Sequence, residues 1–257
     1  TAVPFLTIAA DARSAGMGDM GVATSTDAFS QQWNPAKFAF AERKMGIGVS
    51  YTPYLESLIT DISLLNASFY NKLDERSAFE LSPTFSMAVG GRFIRSNLKL
   101  PQNGSEDSQA ASSFAVDIAG YYRSREIAYD NFDGRWRAGF NISNLGGKMT
   151  YDEGGQENFL PTNLSFGAGF DFILDQDNVI GITSEFNKLL VPTPQDFDED
   201  GDIDSEDNDE YQQVGFLSGV FKSFGDAPDG FGEELKEFTW ALGAEYTYQD
   251  AFMLRTG

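Results

Sequence analysis

Several stretches of this chain alternate apolar residues with small or polar residues. The clearest are residues 135–143, 164–172 and 238–248, in which Trp136 and Trp240 stand among the apolar set. A period of two places the two sets on opposite faces of a β-strand. One face is rich in aromatic residues, and the other carries charges and glycines. This combination is typical of an outer-membrane β-barrel, in which lipid lies outside and water or a polar plug lies inside.

The composition agrees with a β-rich membrane protein and excludes other classes. The chain has 257 residues with 26 glycines and 14% aromatic residues. No window approaches the roughly eighteen consecutive apolar residues of a transmembrane helix. The mean hydropathy of -0.30 does not exclude a barrel, because only alternate strand residues face lipid. The formal net charge of -21 argues against nucleic acid as a partner, since its phosphates would be repelled.

Cysteine and histidine are both absent from the sequence. The chain therefore has no disulfide framework, no thiolate metal site and no histidine-dependent nucleophile triad. It also lacks a Walker loop, a dinucleotide-binding fingerprint and a G-x-S-x-G motif. We expect a protein that is not an enzyme. Thr1 opens a mature-looking segment, so we expect that an export signal has been removed.

The alternation predicts an all-β fold, a transmembrane antiparallel up-and-down β-barrel over residues 45–257. Short turns at residues 72–76, 175–178 and 249–250 would lie on the periplasmic side, and residues 191–237 would form one long extracellular loop. The predicted strands cover residues 45–52, 59–71, 84–97, 112–124, 134–150, 160–174, 178–190, 238–248 and 251 onward.

Residues 1–44 differ from the rest because small residues dominate them and Pro35 excludes helical geometry at the residue before it. Small side chains allow close packing in a confined space. We interpret this segment as a hatch that folds into the barrel lumen; a surface arm is the alternative.

Charged residues on the polar strand faces either line a conduit or pair with one another and with the hatch. Pairing is the prediction that we favour, because buried charges must be neutralised. These residues are Arg92, Asp117, Arg123, Arg135, Arg137, Asp171 and Glu185.

The acidic run at residues 196–207 has the ligand order of an EF-hand calcium loop, with Gly201 at position six and Ile203 at position eight. The twelfth residue is Asp207 where the motif has glutamate, which shortens its reach. The alternative is a solvated acidic loop, although so many clustered carboxylates without a counter-ion are unfavourable. The candidate Ca2+ ligands are Asp196, Asp198, Asp200, Asp202, Asp204 and Asp207.

Residues 214–224 predict a short amphipathic helix within the long loop, because apolar residues recur there at helical spacing. Most such stripes pack on their own protein; the alternative is docking of a partner, which exposed apolar patches often mark. The candidate partner-binding residues are Phe216, Leu217, Val220, Phe221 and Phe224.

Eight short motifs together resemble the PorV family, FadL-like outer-membrane barrels of the type IX secretion system. They are FLTI (5–8), DARSAGMG (11–18), GVAT (21–24), WNPAK (33–37), LLVPTP (189–194), SFGDAP (223–228), ELKEFTW (234–240) and GAEY (243–246). The set spans nearly the full chain and is specific, whereas Asn-Pro-Ala alone is shared by the wider fatty-acid-porin group. The resemblance implies a fourteen-stranded barrel with a hatch that here includes Arg13, Trp33, Asn34 and Pro35.

The chain itself shows only about ten strands, fewer than the family barrel. Pro83 begins a strand pattern with no reversal after the preceding one, and the alternation stops within a strand at Gly257. Because open sheet edges are not viable in lipid, we expect residues to be absent near Pro83 and about three strands to be absent after Gly257. A continuous tight hairpin at Pro83 would contradict the first expectation.

The resemblance also implies a function in the bacterial outer membrane. Such a protein binds the C-terminal signal domains of secreted proteins as they leave a SprA-type translocon, and it shuttles them to a PorU-type sortase at the cell surface. Lipid and lipopolysaccharide would surround it. The alternatives are a FadL-like transporter of hydrophobic small molecules, in which the hatch would move, and a lipopolysaccharide deacylase, which the absence of histidine disfavours.

Overall fold

The computed structural model describes residues 1–53, 63–72, 79–96, 110–151, 156–197, 200–227 and 230–257. This part of the chain is mostly β-structure, and none of its helices is long and apolar enough to cross a membrane. The strands are β1 (Met45–Pro53), β2 (Ser63–Asn71), β3 (Phe79–Ser82), β4 (Phe85–Ser96), β5 (Ala111–Arg123), β6 (Ile127–Ala128), β7 (Asp133–Gly146), β8 (Asn163–Ile173), β9 (Asn178–Leu189), β10 (Phe238–Tyr248) and β11 (Phe252–Thr256). The α-helices are α1 (Ala12–Ala15), α2 (Ser30–Trp33), α3 (Ser205–Gln213), α4 (Phe216–Lys222) and α5 (Phe231–Glu234).

The strands pair antiparallel and mostly with their neighbours in the sequence. β1 and β2 form a two-stranded sheet. Among the described residues, the second sheet has nine strands, eight of them in the order β11-β10-β9-β8-β7-β5-β4-β3, while β6 pairs with the start of β7. This is the predicted up-and-down arrangement. The described strands do not close into a barrel.

Two of the predicted short turns join strands at the same end of the larger sheet. Between β8 and β9, the Asp175 carboxylate accepts hydrogen bonds from the backbone N–H groups of Asp177 and Asn178, both at 2.8 Å. Between β10 and β11, Gln249 and Asp250 both have a φ of 52°, as a type I′ hairpin turn requires. The third predicted turn, at residues 72–76, lies almost wholly outside the described residues.

The strand predictions agree with the structure within a few residues at most positions, and β10 has the predicted bounds. The expectation of absent residues near Pro83 is wrong. β3 and β4 form a tight hairpin in which Ser82 pairs with Phe85 and only Pro83 and Thr84 lie between them. Proline supplies the φ angle that a turn needs, so the chain reverses without any spacer.

The larger sheet exposes its apolar face and buries its polar one. The exposed fraction is 74% for Phe114, 72% for Trp240 and 62% for Phe93. This is the reverse of a water-soluble sandwich, and the predicted outward aromatic face is confirmed. The buried polar residues on the opposite face are Ser86, Asp117, Arg137, Asn141, Ser165, Asp171, Thr183, Glu185 and Glu245.

The N-terminal segment, residues 1–44, covers part of this polar face. Its short helices are α1, α2 and the 3-10 helices Pro4–Thr7 and Pro35–Phe40, and the last of these contacts β4 and β5. Gly139 of β7 permits the close approach, since a Cβ atom there would lie 2.3 Å from the Val22 carbonyl oxygen. The polar interface between this segment and the sheet also includes small apolar clusters, such as Ala2 and Val3 against Ile94 and Ala115.

Candidate functional site

Hydrogen bonds between side chains and backbone groups hold the N-terminal segment against the larger sheet. The Glu185 carboxylate accepts from the backbone N–H groups of Gly21 at 2.9 Å and Val22 at 2.8 Å. Asn34 donates through its Nδ2 to the carbonyl oxygens of Val22 (2.9 Å) and Gly120 (3.0 Å). Glu185 and Asn34 are fully buried, so these bonds are shielded from competing water.

Arg13 fastens α1 to β10. Its guanidinium donates to Asp27 at 2.8 Å and to both carboxylate oxygens of Glu245 at 3.1 and 2.9 Å. Burial opposes the charge, yet Asp27 and Glu245 together hold the pKa of Arg13 above its ordinary value. Glu245 also accepts from Arg255 of β11 at 2.5 Å. One carboxylate thus joins the N-terminal segment to two strands.

Arg137 of β7 lies at the centre of the polar interface. Its Nε donates to the two oxygens of Asp171 at 3.0 and 3.1 Å, and its Nη2 donates to Thr183 Oγ1 at 3.2 Å. Its Nη1 donates to the carbonyl oxygen of Ala23 in the N-terminal segment. Arg137 is only 4% exposed, so its charge depends on these partners.

Arg92 forms a second link of the same kind. It pairs with Asp117 at 2.6 Å and donates to the Gln32 carbonyl oxygen at 3.0 Å. The predicted pairing of interior charges with each other and with the N-terminal segment is confirmed for five residues. These are Arg92, Asp117, Arg137, Asp171 and Glu185.

Arg135 and Arg123 have other surroundings. Arg135 pairs with the exposed Glu126 rather than with an interior group. The Cζ atom of Arg123 lies 5.3 Å from the centre of the Phe40 ring, a cation–π contact with the N-terminal segment.

Lys37 is a buried residue that the sequence reasoning did not single out. Its Nζ donates to the Gly21 carbonyl oxygen at 2.8 Å and to Thr24 Oγ1 at 3.0 Å. Burial lowers its pKa to about 8, although the nearby Asp27 opposes this shift. In the sequence, a charged residue within a segment dominated by small residues is the feature that could have indicated a buried lysine at this position.

The remaining predicted hatch residues shape the N-terminal segment itself. Trp33 donates from Nε1 to the buried carboxylate of Asp11 at 2.9 Å. Pro35 begins the 3-10 helix Pro35–Phe40, where its missing N–H costs nothing.

The predicted calcium loop lies between β9 and β10. Asp196 accepts from the backbone N–H groups of Asp200 at 3.2 Å and Gly201 at 2.7 Å, and Gly201 has a φ of 100°. Asp202 N donates to Asp200 at 2.9 Å. Asp198 lies outside the described residues. The loop therefore curls around the first predicted ligand.

Helix α3 begins inside the last part of this loop. Asp204 caps it by accepting from Glu206 N at 2.7 Å. The Asp207 carboxylate accepts from Asp204 N at 3.0 Å and Phe197 N at 2.5 Å. The sequence reasoning missed α3, because its residues are almost all polar and show no apolar stripe.

Helix α4 confirms the helix predicted in residues 214–224 and has two different faces. Gly219 is buried, and a Cβ atom there would lie 2.9 Å from Phe159 and 3.1 Å from Pro192. Phe216 and Val220 are partly buried. This face packs the helix onto the rest of the protein.

The other face of α4 points to solvent. The exposed fraction is 51% for Leu217 and 76% for Phe221, and Phe224 just beyond the helix is 49% exposed. These residues follow the i, i+4, i+7 spacing of one helix face. We call Leu217, Phe221 and Phe224 the α4 outer face. Of the five predicted partner-binding residues, these three are therefore exposed, whereas Phe216 and Val220 lie on the face that packs against the protein.

The sequence reasoning also missed an acidic cluster near the end of the same loop. Among the described residues, one group of three carboxylates places an oxygen from each within 4.8 Å of the others, namely Asp226, Glu234 and Glu237. Two members stand three residues apart, on neighbouring helical turns. The i, i+3 spacing of Glu234 and Glu237 is the sequence feature that could have indicated this cluster.

A model of a protein family, the type IX secretion system protein PorV, matches residues 1–83 and 78–196. The two matched segments overlap at the β3–β4 hairpin and together cover more than half of the chain. They include the whole N-terminal segment and strands β1 to β9. No curated protein sequence matches the chain.

Proposed function

This chain belongs to the PorV family of type IX secretion system proteins, and we propose that it is a non-enzymatic carrier in the bacterial outer membrane. It binds the C-terminal signal domains of secreted proteins that leave a SprA-type translocon, and it passes them to a PorU-type sortase. The family match supports the secretion role. The chemistry of the two sheet faces supports the membrane location.

The observation that carries the membrane location is the inverted sheet. Aromatic and aliphatic residues such as Phe93, Phe114 and Trp240 are exposed, while Arg137 and Glu185 are buried. In water this arrangement loses the hydrophobic contribution to stability, whereas in lipid the exposed face is solvated. Strands fit a membrane only when their edges are paired, so we infer that the working form is a closed barrel, with the fourteen strands that the resemblance to the family implies.

We assign the N-terminal segment to the role of a lumen hatch. It lies on the polar face that a closed barrel encloses, and Glu185, Asn34 and Arg13 bond it to three strands. A plugged barrel acts as a docking platform rather than as a pore. Partner binding then falls to the loops.

The α4 outer face is the proposed docking surface for protein partners. It lies in the long β9–β10 loop, which such barrels place on the extracellular side. Its three large apolar residues are exposed while the opposite helix face is packed, so its exposure does not come from a loose helix. Apolar side chains held at the surface by a fixed helix are suited to partner binding.

The test is capture of secreted proteins that carry C-terminal signal domains by the detergent-solubilised protein. We expect the double variant Leu217→Ser/Phe221→Ser to lose most of the capture while it keeps the stability of the parent. The matched control is Ser218→Ala/Lys222→Ala, which changes exposed residues one position along the same helix. Equal capture by the two double variants would refute the assignment.

We further propose that the loop of residues 196–207 binds Ca2+. The bonds from Asp200 N and Gly201 N to Asp196, the positive φ at Gly201 and the start of α3 at Ser205 support it. Calcium should slow hydrogen exchange of the backbone amides in this loop. Exchange that is identical with calcium and with chelator would remove this assignment.

In the described part of the chain, two cavities lie beside the N-terminal segment; one, of about 440 Å³, has apolar residues such as Phe5, Phe29 and Leu65 in its lining, whereas the other is less suited to the hydrophobic ligand of a transporter. This other cavity, of about 450 Å³, lies between the N-terminal segment and the sheet. Its lining includes Asn141, Asn163, Asn187 and Arg92. Amide and guanidinium groups would lose hydration without gaining partners around an apolar ligand.

A further inference from the structure

The acidic cluster lies near the end of the β9–β10 loop and contacts residues near the start of that loop. Asp226 follows α4, Glu234 ends α5, and Glu237 ends the 3-10 helix Leu235–Glu237 that leads into β10. Lys188, near the end of β9, lies beside the cluster: its Nζ is 2.7 Å from Glu234 and also pairs with Glu237. Thr193 N donates to Asp226 Oδ2 at 2.7 Å.

The charges in this cluster do not balance. Three carboxylates face one ammonium group, which leaves two negative charges when all are ionised. Asp226 is 8% exposed and Glu234 is 6% exposed. Water therefore solvates these two carboxylates poorly, and unpaired buried charge is costly.

Two buried oxygens of the cluster have no hydrogen-bond partner. These are Oδ1 of Asp226 and Oε2 of Glu234, whose other oxygen forms the ion pair with Lys188. Buried polar atoms are usually satisfied in folded proteins, and these two oxygens are free to coordinate a cation.

We propose that Asp226, Glu234 and Glu237 bind one Ca2+ ion. A divalent cation neutralises the two excess charges and gives the unpartnered oxygens a ligand role. Carboxylate oxygens are ligands for hard cations, whereas zinc prefers the histidine and cysteine that this chain lacks. Calcium accepts irregular sets of six to eight oxygens, and magnesium demands near-ideal octahedral geometry. Ligands from three separate turns suit calcium better.

The ion would fix the base of the β9–β10 loop. It would join the residue four positions after α4 to the segment that enters β10, and Thr193 would connect it to the end of β9. This site is separate from the loop of residues 196–207, since the two share no ligand. The result of testing this site is therefore independent of the proposals for the calcium loop and for the docking surface.

Calorimetric titration of the chelator-stripped full chain in detergent with calcium chloride tests the proposal. We expect Glu234→Gln to remove one bound calcium per chain, because the amide keeps the size of the side chain but not its charge. The matched control, Asp196→Asn/Asp200→Asn in the other loop, should retain that calcium. The proposal is overturned if Glu234→Gln binds as much calcium as the parent, or if the control loses every bound calcium.

A second variant guards against simple misfolding. Lys188→Met removes the neighbouring positive charge, so calcium should bind about tenfold more tightly and thermal stability should become dependent on calcium. If Lys188→Met is destabilised equally with calcium and with chelator, the lysine is the sole counter-ion and the proposal fails. Magnesium that binds as tightly as calcium would also contradict the choice of ion.

Discussion

The N-terminal segment and the β9–β10 loop both contact the larger sheet, yet they differ in how far their charged and apolar groups are paired. In the N-terminal segment, Arg13 and Asn34 bond to the sheet, and Glu185 of the sheet bonds back to the segment. In the loop, the Phe221 side chain is 76% exposed, and the carboxylates of Asp226, Glu234 and Glu237 lie together beside one lysine, Lys188.

This difference separates a structural region from a binding region. If the N-terminal segment moved away from the sheet, buried charged groups of the segment and of the sheet would lose their partners, at a cost of several kcal/mol for each unpaired charge. Binding a partner or an ion at the loop would cover apolar surface and neutralise carboxylates. We infer that the interior stays plugged while the loop exchanges its ligands.

The largest effect should come from the interior. Arg137→Ala leaves Asp171 buried without its partner and frees the Ala23 carbonyl group, so we expect a loss of about 4 kcal/mol in the free energy of unfolding. Urea unfolding in lipid vesicles measures it. Arg135→Ala is the matched control, since it breaks a more exposed pair on the same strand and should cost less than about 1 kcal/mol. Similar losses for the two variants would mean that the buried Arg137–Asp171 pair contributes no more to stability than the more exposed Arg135–Glu126 pair.

A second prediction uses the buried ammonium group of Lys37. Its pKa of about 8 lies below the value of 10.5 for an exposed lysine, so between these values the unfolded chain binds more protons than the folded one. Stability should therefore rise as the pH increases from 8 to 10.5, by about 3 kcal/mol in total. The difference in unfolding free energy between the parent and Lys37→Met isolates this contribution from other titrating groups. A difference that does not change with pH would show that Lys37 is hydrated.

The smallest effect should come from the loop. Asp207→Ala removes the acceptor for Phe197 N and Asp204 N at the start of α3, and loss of such a cap costs about 1 kcal/mol. Hydrogen exchange should become faster in α3 and remain unchanged in β7. Asp207→Asn keeps one acceptor oxygen and should have about half the effect. Faster exchange throughout the sheet would contradict the separation of the two regions.

The strands were predictable because an apolar and a polar environment act on alternate residues, and this period of two can be recognised from neighbouring residues alone. The pairing of interior charges followed from the same face assignment. The individual hydrogen-bond partners could not be predicted, because the bonds from Asn34 to Gly120 and from Arg13 to Glu245 join residues far apart in the chain.

Three features escaped prediction for separate physical reasons. The reversal at Pro83 needs only two residues, so the strand patterns on either side run together. α3 is held by its cap rather than by an apolar stripe. Asp226, Glu234 and Glu237 form a cluster only after α5 folds and the loop returns to β9.

The most direct test of the plugged interior is a disulfide between the N-terminal segment and the sheet. A Cβ atom at Gly16 would lie 3.9 Å from the Cβ of Arg255, which is within the range of disulfides, and the chain has no other cysteine. With Gly16→Cys/Arg255→Cys oxidised, we predict that capture of C-terminal signal domains stays within twofold of the reduced protein. Capture that is lost on oxidation and restored by a reductant would show that the segment must move, and the account would be wrong.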